Sequence, residues 1–302
     1  MHVNLDRRDF LRASAGLAAV SALPESAAAQ GRVAREPGTR VKIALNAYSF
    51  DKPLSNGTMT LRDVVHYCAR QGIDSLDATG YYFPGYPKVP SDETIYGLKR
   101  EGFLSGVAIC GTGVRNDFAV PDAAARKADV QMVKDWIEVA AKLGAPLIRV
   151  FTGAKVSDGY TFDQVLEWMA RDFQACAEHG KRHGVVLGLQ NHNDFVKTAD
   201  ETIRVVQAVR SEWFGVHLDV GTLREKDPYE ETEKLVPYAV SWQLKEAVGY
   251  GRREEPTDLR RIKAIIDRTG YRGLLPIETL GAGDPRVKVA RFREQVREVF
   301  GV

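Results

Sequence analysis

The segment Val185–His192 reads VVLGLQNH, and the alternation of its side chains decides the fold. Successive side chains of a β-strand point to opposite faces, so Leu187 and Leu189 share one face. Gln190 and His192 share the other face, close to the carboxyl end of the strand. A parallel barrel builds its active site from polar groups that its strands deliver at their carboxyl ends.

Three later segments repeat the design of an apolar face opposite a face with unusual polar groups. They are Phe214–Gly221 (FGVHLDVG), Ala239–Glu246 (AVSWQLKE) and Gly273–Leu280 (GLLPIETL). The polar faces carry, in that order, His217 with Asp219, Gln243 with Lys245, and Glu278. Four consecutive strands are therefore predicted to bring oxygen and nitrogen groups to one point.

From Arg40 onward the chain reads as strand, loop and helix eight times. The first four strands are predicted at Val41–Phe50, Ile73–Gly80, Phe103–Thr112 and Pro146–Gly153. Regular alternation implies parallel strands with right-handed crossovers, and eight units predict an α/β fold of the (β/α)8 TIM barrel type. A doubly wound open sheet is the alternative, and the absence of a GxGxxG motif at the first helix weakens it.

Helix ends carry signals of their own. Capping boxes are predicted at Thr60 with Asp63, Thr161 with Gln164, and Thr198 with Glu201. A cap residue precedes a proline at the first helical position in Asp227-Pro228 and Asp284-Pro285. Five glycines are expected to end helices shortly before strands, namely Gly72, Gly102, Gly144, Gly184 and Gly270.

The first thirty residues are predicted to be an export signal and not part of the fold. Arg7-Arg8 is followed by Phe10-Leu11 and an alanine-rich apolar run, and small residues come before Gln30. This order resembles a twin-arginine signal, which exports folded proteins. The run is too short and too weakly apolar for a spanning helix, and a disordered tail or a membrane anchor is the alternative.

We expect a signal at residues 1–30, a linker at 31–39 and one barrel domain at 40–302, in a periplasmic or secreted protein. The 302 residues carry a formal charge of +2 with a pI of about 8.3, which indicates neither nucleic acid nor an anionic membrane as a partner. Stable membrane insertion is not expected. Three cysteines cannot all pair, and without a CxxC motif we expect buried free thiols.

The motifs together resemble the sugar phosphate isomerase/epimerase superfamily of xylose isomerase-like barrels, from Arg40 to Val302. Members end strand five with Glu-Asn-His, strand six with Leu-Asp-x-Gly, strand seven with His-x-Lys-Asp and strand eight with Glu. The corresponding places here read Gln190-Asn191-His192, Leu218-Asp219-Val220-Gly221, Gln243-Leu244-Lys245-Glu246 and Ile277-Glu278. The combination is fairly specific, whereas any one motif alone is weak.

The resemblance implies one divalent ion, and by position its ligands are Gln190, Asp219, Gln243 and Glu278. Two of these are amides, which can coordinate a hard cation but add no negative charge. The two carboxylates suffice for Mn²⁺, Mg²⁺ or Co²⁺, whereas Zn²⁺ loses its usual imidazole ligand. The alternative is that Lys245 pairs with the carboxylates in place of a cation, which would make the barrel metal-free.

Catalysis in the family relies on two carboxylates that remove and return a proton on opposite sides of the substrate carbon. Gln190 cannot accept a proton, so the base must be Glu278, His192, Lys245 or Glu246. An amine beside a metal in a barrel can have a lowered pKa, so Lys245 is a candidate general acid. His192 either shuttles a proton near neutral pH or fixes the loop after strand five.

Residues expected to contact the substrate lie at the same rim. Arg149 either binds an anionic group of the substrate or compensates the inward carboxylates. Tyr82 and Phe83 belong to an aromatic, proline-rich loop that either faces a sugar ring or packs on itself. Asn116 offers hydrogen bonds after strand three, and His217 is either a substrate contact or an interior packing residue.

The leading functional hypothesis is an exported isomerase- or epimerase-like enzyme that performs metal-assisted proton transfer through an enediolate. Its partner would be a small carbohydrate, a free sugar or keto-sugar, because sugar phosphates are largely cytosolic. Single-base elimination on a 3-keto-glycoside, as in related deglycosidases, and a non-catalytic carbohydrate-binding barrel are the alternatives. A monomer and a homo-oligomer are both left open.

DNA-repair endonucleases also use this barrel, and they need a histidine-rich site for three zinc ions. The chain has six histidines in all and shows no basic stripe. A nuclease is therefore not expected.

Overall fold

The computed structural model describes residues 31–192 and 194–302, and its centre is a closed barrel of eight parallel strands. The barrel strands are β1 (Arg40–Asn46), β2 (Ser75–Asp77), β3 (Ala108–Gly113), β4 (Leu147–Val150), β5 (Val186–Gln190), β6 (Phe214–Asp219), β7 (Ala239–Lys245) and β10 (Arg272–Glu278). Around the barrel they follow the order β1, β10, β7, β6, β5, β4, β3, β2. The predicted (β/α)8 barrel is confirmed, and the predicted signal at residues 1–30 lies outside the described residues.

Helices follow the barrel strands and form the outer layer. They are α1 (Asp51–Ser55), α2 (Leu61–Gln71), α3 (Asp92–Leu104), α4 (Ala123–Leu143), α5 (Phe162–His183), α6 (Ala199–Val209), α7 (Pro228–Leu235), α8 (Leu259–Thr269) and α9 (Pro285–Phe300). Short 3-10 turns lie at Ala47–Phe50, Gly80–Tyr82 and Val236–Tyr238. No helix of the described part is both long and apolar enough to cross a membrane.

The apolar faces of the strands pack outward on the helices, which leaves the polar faces inside the barrel. Leu187 of β5, for example, is fully buried, and a side chain at Gly180 of α5 would come within 2.8 Å of its methyl group. Trp136 and Trp242 are among the largest side chains in this layer. Burial of apolar surface contributes about 25 cal/mol per Å², so this layer supplies most of the driving force for folding.

The predicted helix caps are confirmed. Thr60, Thr161 and Thr198 each accept a hydrogen bond from the backbone N–H of the third helical residue, whose side chain in turn accepts one from the backbone N–H of the cap residue. Asp227 and Asp284 cap α7 and α9 ahead of a proline. Free thiols are likewise found buried at Cys68, Cys110 and Cys176.

The boundary between α3 and β3 differs from the prediction. Gly72, Gly144, Gly184 and Gly270 do end helices in the left-handed conformation. Gly102 instead lies inside α3, which continues to Leu104, and β3 begins only at Ala108. The prediction that Gly102 ends a helix was therefore wrong. A glycine at position 102 allows the helix to lie close to the backbone of Val107, because a Cβ there would be 2.7 Å from the carbonyl oxygen of Val107.

A short antiparallel hairpin after β7 was not predicted. It consists of β8 (Ala247–Tyr250) and β9 (Arg253–Pro256), and it lies between β7 and α8 in the chain. All four residues of β9 are exposed, so no apolar alternation marks it in the sequence. The hairpin borders the carboxyl end of the barrel, where it forms one wall of a cavity described below.

Two glycines of α3 give a matched test of this packing. A Cβ added at Gly97 would have no other heavy atom within 4 Å, so we expect Gly97→Ala to stabilise the protein by about 0.5–1 kcal/mol, because alanine has the higher helix propensity. Gly102→Ala should instead destabilise by about 1–3 kcal/mol because its Cβ overlaps the backbone of Val107. Urea unfolding measures both, and equal effects would contradict the close approach.

Candidate active site at the barrel mouth

Four strand ends bring the predicted polar groups into one buried cluster. β5 ends at Gln190, β6 at Asp219 and β10 at Glu278, while β7 carries Gln243 and then Lys245. Parallel pairing in register sets Asp219 beside Gln243 and Glu278 beside Lys245. The period of two puts all five side chains on the inner face.

The ammonium group of Lys245 lies between two carboxylates. Its Nζ is 3.0 Å from Oδ2 of Asp219 and 3.4 Å from Oε1 of Glu278. The lysine side chain is 13% exposed, whereas those of Asp219 and Glu278 are 0% and 4% exposed. Lys245 therefore remains within reach of a molecule in the barrel mouth, whose cavities it lines.

Both glutamines turn their N–H groups toward the carboxylates. Nε2 of Gln190 donates to Oδ2 of Asp219 at 2.5 Å. Nε2 of Gln243 donates to Oε2 of Glu278 at 2.9 Å and to Oδ2 of Asp219 at 3.3 Å. The negative charge of the pair is thus surrounded by nitrogen donors from three side chains.

The opposite ends of the two amides are held by a second layer of donors. Nη1 of Arg149 donates to Oε1 of Gln190 at 2.8 Å. Nδ2 of Asn46 donates to Oε1 of Gln243 at 2.7 Å, and Nε2 of His217 lies 3.1 Å from the same oxygen. Because every partner is a donor, these contacts define which end of each amide faces the carboxylates.

Backbone contacts hold Asp219 in place. The N–H of Gly221 donates to its Oδ1 at 2.9 Å. The side chain of Asn191 accepts from the N–H of Asp219 at 2.8 Å and donates to its carbonyl oxygen at 2.9 Å. Asn191, the middle residue of the strand-five motif, therefore joins the ends of β5 and β6.

The charges of the cluster are set by burial and by Lys245. Burial alone raises the pKa of Asp219, but Lys245 and the N–H of Gly221 outweigh it and lower that pKa. Burial dominates for Glu278, whose pKa is raised although Lys245 opposes the effect. A lowered pKa was expected for Lys245, and this was wrong: burial lowers it, but the two carboxylates raise it further.

His217 is an interior hydrogen-bonding residue. It is fully buried, and burial together with the charge of Arg149 lowers its pKa to about 4. The ring is therefore neutral at physiological pH and carries a single N–H donor. Its contact with Gln243 assigns that donor to Nε2.

A divalent ion does not fit the donors as they are arranged. A metal ion needs oxygen or nitrogen lone pairs, and Gln190 and Gln243 present N–H groups to the carboxylates instead. Their carbonyl oxygens are engaged by Arg149 and Asn46 on the far side. The ammonium group of Lys245 fills the space next to both carboxylates.

A different group of side chains could hold a metal ion on the outside of the barrel. Glu138 of α4 and His179 and His183 of α5 have ligand atoms within 4.8 Å of one another. Nε2 of His179 lies 3.2 Å from the carboxylate of Glu138. These helices end at the opposite pole from the barrel mouth, so this group is separate from the cluster around Lys245.

A cavity of about 160 Å³ opens above the cluster. Its lining includes Tyr48, Tyr81, Arg115 and Phe151, which had not been predicted, together with Arg149, Gln190, His192, Gln243, Lys245, Glu278 and Leu280. The guanidinium carbon of Arg149 lies 5.8 Å from the Tyr81 ring centre and 5.3 Å from that of Phe151. The cavity therefore combines aromatic faces with positive charge.

Two groups near this cavity have polar atoms without protein partners. Arg149 is buried, and its Nε and Nη2 make no hydrogen bond within the described residues. The hydroxyl group of Tyr81 is also without a partner there. Buried donors are costly when unpaired, so these atoms are suited to bind oxygen atoms of a ligand.

Three residues predicted to contact the substrate are turned away from this cavity. Tyr82 donates its hydroxyl to Oδ1 of Asp51 at 2.9 Å. Phe83 is buried edge-on against Trp136, with ring centres 5.6 Å apart. Nδ2 of Asn116 donates to the carbonyl oxygen of Phe151 at 2.7 Å, and its Oδ1 accepts from the N–H of Phe151 at 2.9 Å, so Asn116 positions that ring.

The aromatic loop after β2 contributes Tyr81 to the cavity, and not the predicted Tyr82 and Phe83. Tyr82 and Phe83 attach the loop to Asp51 and Trp136, which lie outside it. Tyr81 lines the cavity with its ring beside Tyr86, at 5.4 Å between ring centres. The sequence identified the correct loop, and packing decided which ring faces inward.

His192 and Glu246 lie at the rim. His192 contacts Asp194 through Nδ1 at 2.6 Å and packs edge-on against Phe151. Glu246 accepts from the N–H of Leu280 at 2.9 Å and pairs with Lys288 at 2.6 Å. His192 lines this cavity, whereas Glu246 lines the neighbouring one described next.

A second cavity, of about 340 Å³, lies on the other side of Lys245 and Glu278. The two cavities share His192, Lys245, Glu278 and Leu280. The second continues toward Thr222, Arg224 and Glu254, where the β8–β9 hairpin forms its wall. A molecule larger than one sugar ring could therefore extend across the lysine and the glutamate.

Comparison with known proteins supports both the barrel and the export signal. A profile of the family described as xylose isomerase-like TIM barrel matches residues 65–297. A profile of the TAT (twin-arginine translocation) pathway signal sequence matches residues 4–24, which confirms the predicted export signal. No curated protein matches the chain.

Solved structures with the same fold include several sugar epimerases. D-psicose 3-epimerase from Clostridium cellulolyticum H10 is 17% identical, with a TM-score of 0.71 over 86% of this chain and 99% of that chain. The 3-keto-D-glucoside 4-epimerase of E. coli is 13% identical, with a TM-score of 0.69 over 86% and 100%. L-ribulose 3-epimerase is 15% identical, with a TM-score of 0.69 over 87% and 95%. At these identities the likeness shows the fold.

The contacts of Lys245 predict a large stability effect. Lys245→Met keeps the volume of the stem but leaves two buried carboxylates without their ammonium partner, so we expect a loss of about 3–5 kcal/mol. The control Lys263→Met breaks an exposed pair with Asp267 and should cost less than about 1 kcal/mol. Urea unfolding compares the two, and equal losses would mean that Lys245 is not the main partner of the carboxylates.

Proposed function

The chain belongs to the xylose isomerase-like TIM barrel family, and we propose that it is an exported enzyme that moves a proton beside a carbonyl group of a free sugar or keto-sugar. The observation that carries the proposal is the ammonium group of Lys245 between two buried carboxylates, at the floor of a cavity. Isomerisation and epimerisation both pass through such a proton transfer.

Glu278 is proposed as the general base. Burial raises its pKa, which brings a carboxylate closer to the value that proton transfer near neutral pH requires. Glu278 would take a proton from the carbon next to the carbonyl group, and the electron pair would move to the carbonyl oxygen to form an enediolate. Return of the proton by Glu278 to the former carbonyl carbon, while the hydroxyl proton moves between the two oxygens, isomerises the sugar. Epimerisation needs a proton from a donor on the opposite face, and His192, which also lines the cavity, is the candidate for that donor.

Lys245 is proposed to stabilise the oxygen on which negative charge develops. A fixed N–H donor in a site with little water stabilises such an oxyanion far more than water does. The donor stays charged, because Asp219 and Glu278 outweigh the effect of burial and raise its pKa. The divalent metal expected from the family resemblance enters no step here, since the donors do not fit it as arranged.

The cavity walls suit a sugar ring. The faces of Tyr81 and Phe151 can pack on its C–H groups, and the unpaired N–H groups of Arg149 can bind its oxygens. Arg115 lies 5.8 Å from the Tyr81 ring centre and adds a further donor at the rim. Neutral sugars fit the export of the chain, because sugar phosphates are mainly cytosolic.

Elimination from a 3-keto-glycoside is the second candidate. It is favoured by the second cavity, which continues past Lys245 and Glu278 and has room for the group attached to the sugar. After Glu278 removes the proton, the enediolate would expel that group as an alcohol, with His192 supplying its proton. Release of the attached group distinguishes this reaction from isomerisation.

The proposal predicts a measurable exchange. Purified protein is incubated in D₂O with a panel of free and 3-keto sugars, and deuterium beside the carbonyl group is followed by NMR. We expect Glu278→Gln to slow exchange by about 100-fold or more, because it removes the base. The control Glu298→Gln alters an exposed residue of α9 and should leave the rate unchanged.

The same assay separates the competing candidates. His192→Asn and Glu246→Gln, measured alongside, test the other proposed bases. Loss of the attached group from a keto-glycoside would favour elimination. Sugar binding that persists in every variant without exchange or turnover would overturn the enzymatic proposal in favour of a carbohydrate-binding barrel.

A further inference from the structure

We propose that the ammonium group of Lys245 stands where the family resemblance places a divalent cation, and that this barrel mouth is built for the lysine. Its role toward an oxyanion rests on the proposed function, but its place between the carboxylates does not. Two observations carry the proposal: the direction of two amides and the room made for the lysine stem.

Gln190 and Gln243, two members of the expected ligand set, are held with their N–H groups toward the carboxylates. A metal ion there would need their carbonyl oxygens instead. Turning Gln243 would set its N–H group against Nδ2 of Asn46, which now donates to its oxygen at 2.7 Å. Asn46 cannot turn in compensation, because its Oδ1 accepts from the N–H of Tyr48 at 2.9 Å. Gln190 is restrained in the same manner by Arg149, which has donors only.

The inner charges are nearly balanced by protein groups alone. Lys245 and Arg149 face the carboxylates of Asp219, Glu278 and Asp77, all of them on the inner strand ends. Counting all three acids as ionised gives two positive charges against three negative ones. A divalent ion in addition would give four against three, and one that displaced the lysine would give three against three, so the balance of charge excludes neither arrangement. The ion and Nζ of Lys245 instead exclude one another sterically, because both need the place between Asp219 and Glu278.

The end of β6 leaves space for the lysine stem. A Cβ at Gly221 would overlap Cδ of Lys245 and would lie 3.1 Å from the carbonyl oxygen of Ala247. The glycine therefore lets the stem cross β6 and bring Nζ to Asp219. With the stem held there, the ammonium group is a permanent donor at the floor of the cavity.

Binding of Mn²⁺ tests the proposal without any substrate. The titration uses the full chain carrying His179→Ala and His183→Ala, which removes the separate ligand group on α5. Free Mn²⁺ is followed by electron paramagnetic resonance, and thermal unfolding is measured in parallel. We expect no saturable binding up to about 1 mM and no shift of the unfolding midpoint.

Removing the lysine should create the affinity that the parent lacks. In the same background, Lys245→Ala with Gln190→Glu frees the space and supplies a third carboxylate, so we expect Mn²⁺ to bind at least about tenfold more tightly and to raise the unfolding midpoint. Lys245→Ala alone should show a smaller gain. A double variant that is folded yet gains no affinity would overturn the placement of the ammonium group.

The parent protein gives the opposite test, which does not depend on the Lys245 variants. One Mn²⁺ per chain that is lost on Asp219→Asn, in a variant whose thermal unfolding shows that it is folded, would show that the lysine yields to a metal, and the proposal would fail. Failure of the enzymatic proposal is seen separately, because it appears as an absence of deuterium exchange whatever the outcome of the Mn²⁺ titration.

Discussion

The carboxylates of Asp219 and Glu278 are withdrawn from water at the end of the barrel, where an uncompensated negative charge is costly. Compensation takes the form of one ammonium group and two amide N–H groups. The amides in turn need donors behind them, which explains why Arg149 and Asn46 are buried in the next layer. The polar architecture of the mouth thus follows outward from two acids.

Regular features of the chain were predictable because they depend on local rules. The period of two along β5, β6, β7 and β10 was enough to place the inward groups, and side chains such as Thr161 marked helix starts. Gly102 was misread because its role is a contact with Val107, which the linear sequence does not display. The hairpin after β7 was missed for a similar reason, since its second strand has no apolar face.

The walls of the candidate site were less predictable than its floor. Tyr48, Tyr81, Arg115 and Phe151 come from loops and strand ends that have no common period. Which ring of an aromatic loop faces inward is a matter of tertiary packing, as Phe83 beside Trp136 illustrates. The direction of each amide likewise depends on neighbours from other strands. The sequence therefore predicted that Gln190, Asp219, Gln243 and Glu278 lie together, but not which end of each amide faces the carboxylates.

The β8–β9 hairpin lines the second cavity, whereas Lys245 and Glu278 lie on the barrel strands β7 and β10. It leaves the chain after β7 and returns before α8, so it shares no backbone pairing with the barrel among the described strands. Residues could be added to or removed from its tip without shifting the register that aligns Lys245 with Glu278. A change in the length of this projecting hairpin would therefore alter the room in the second cavity while Lys245 and Glu278 keep their places.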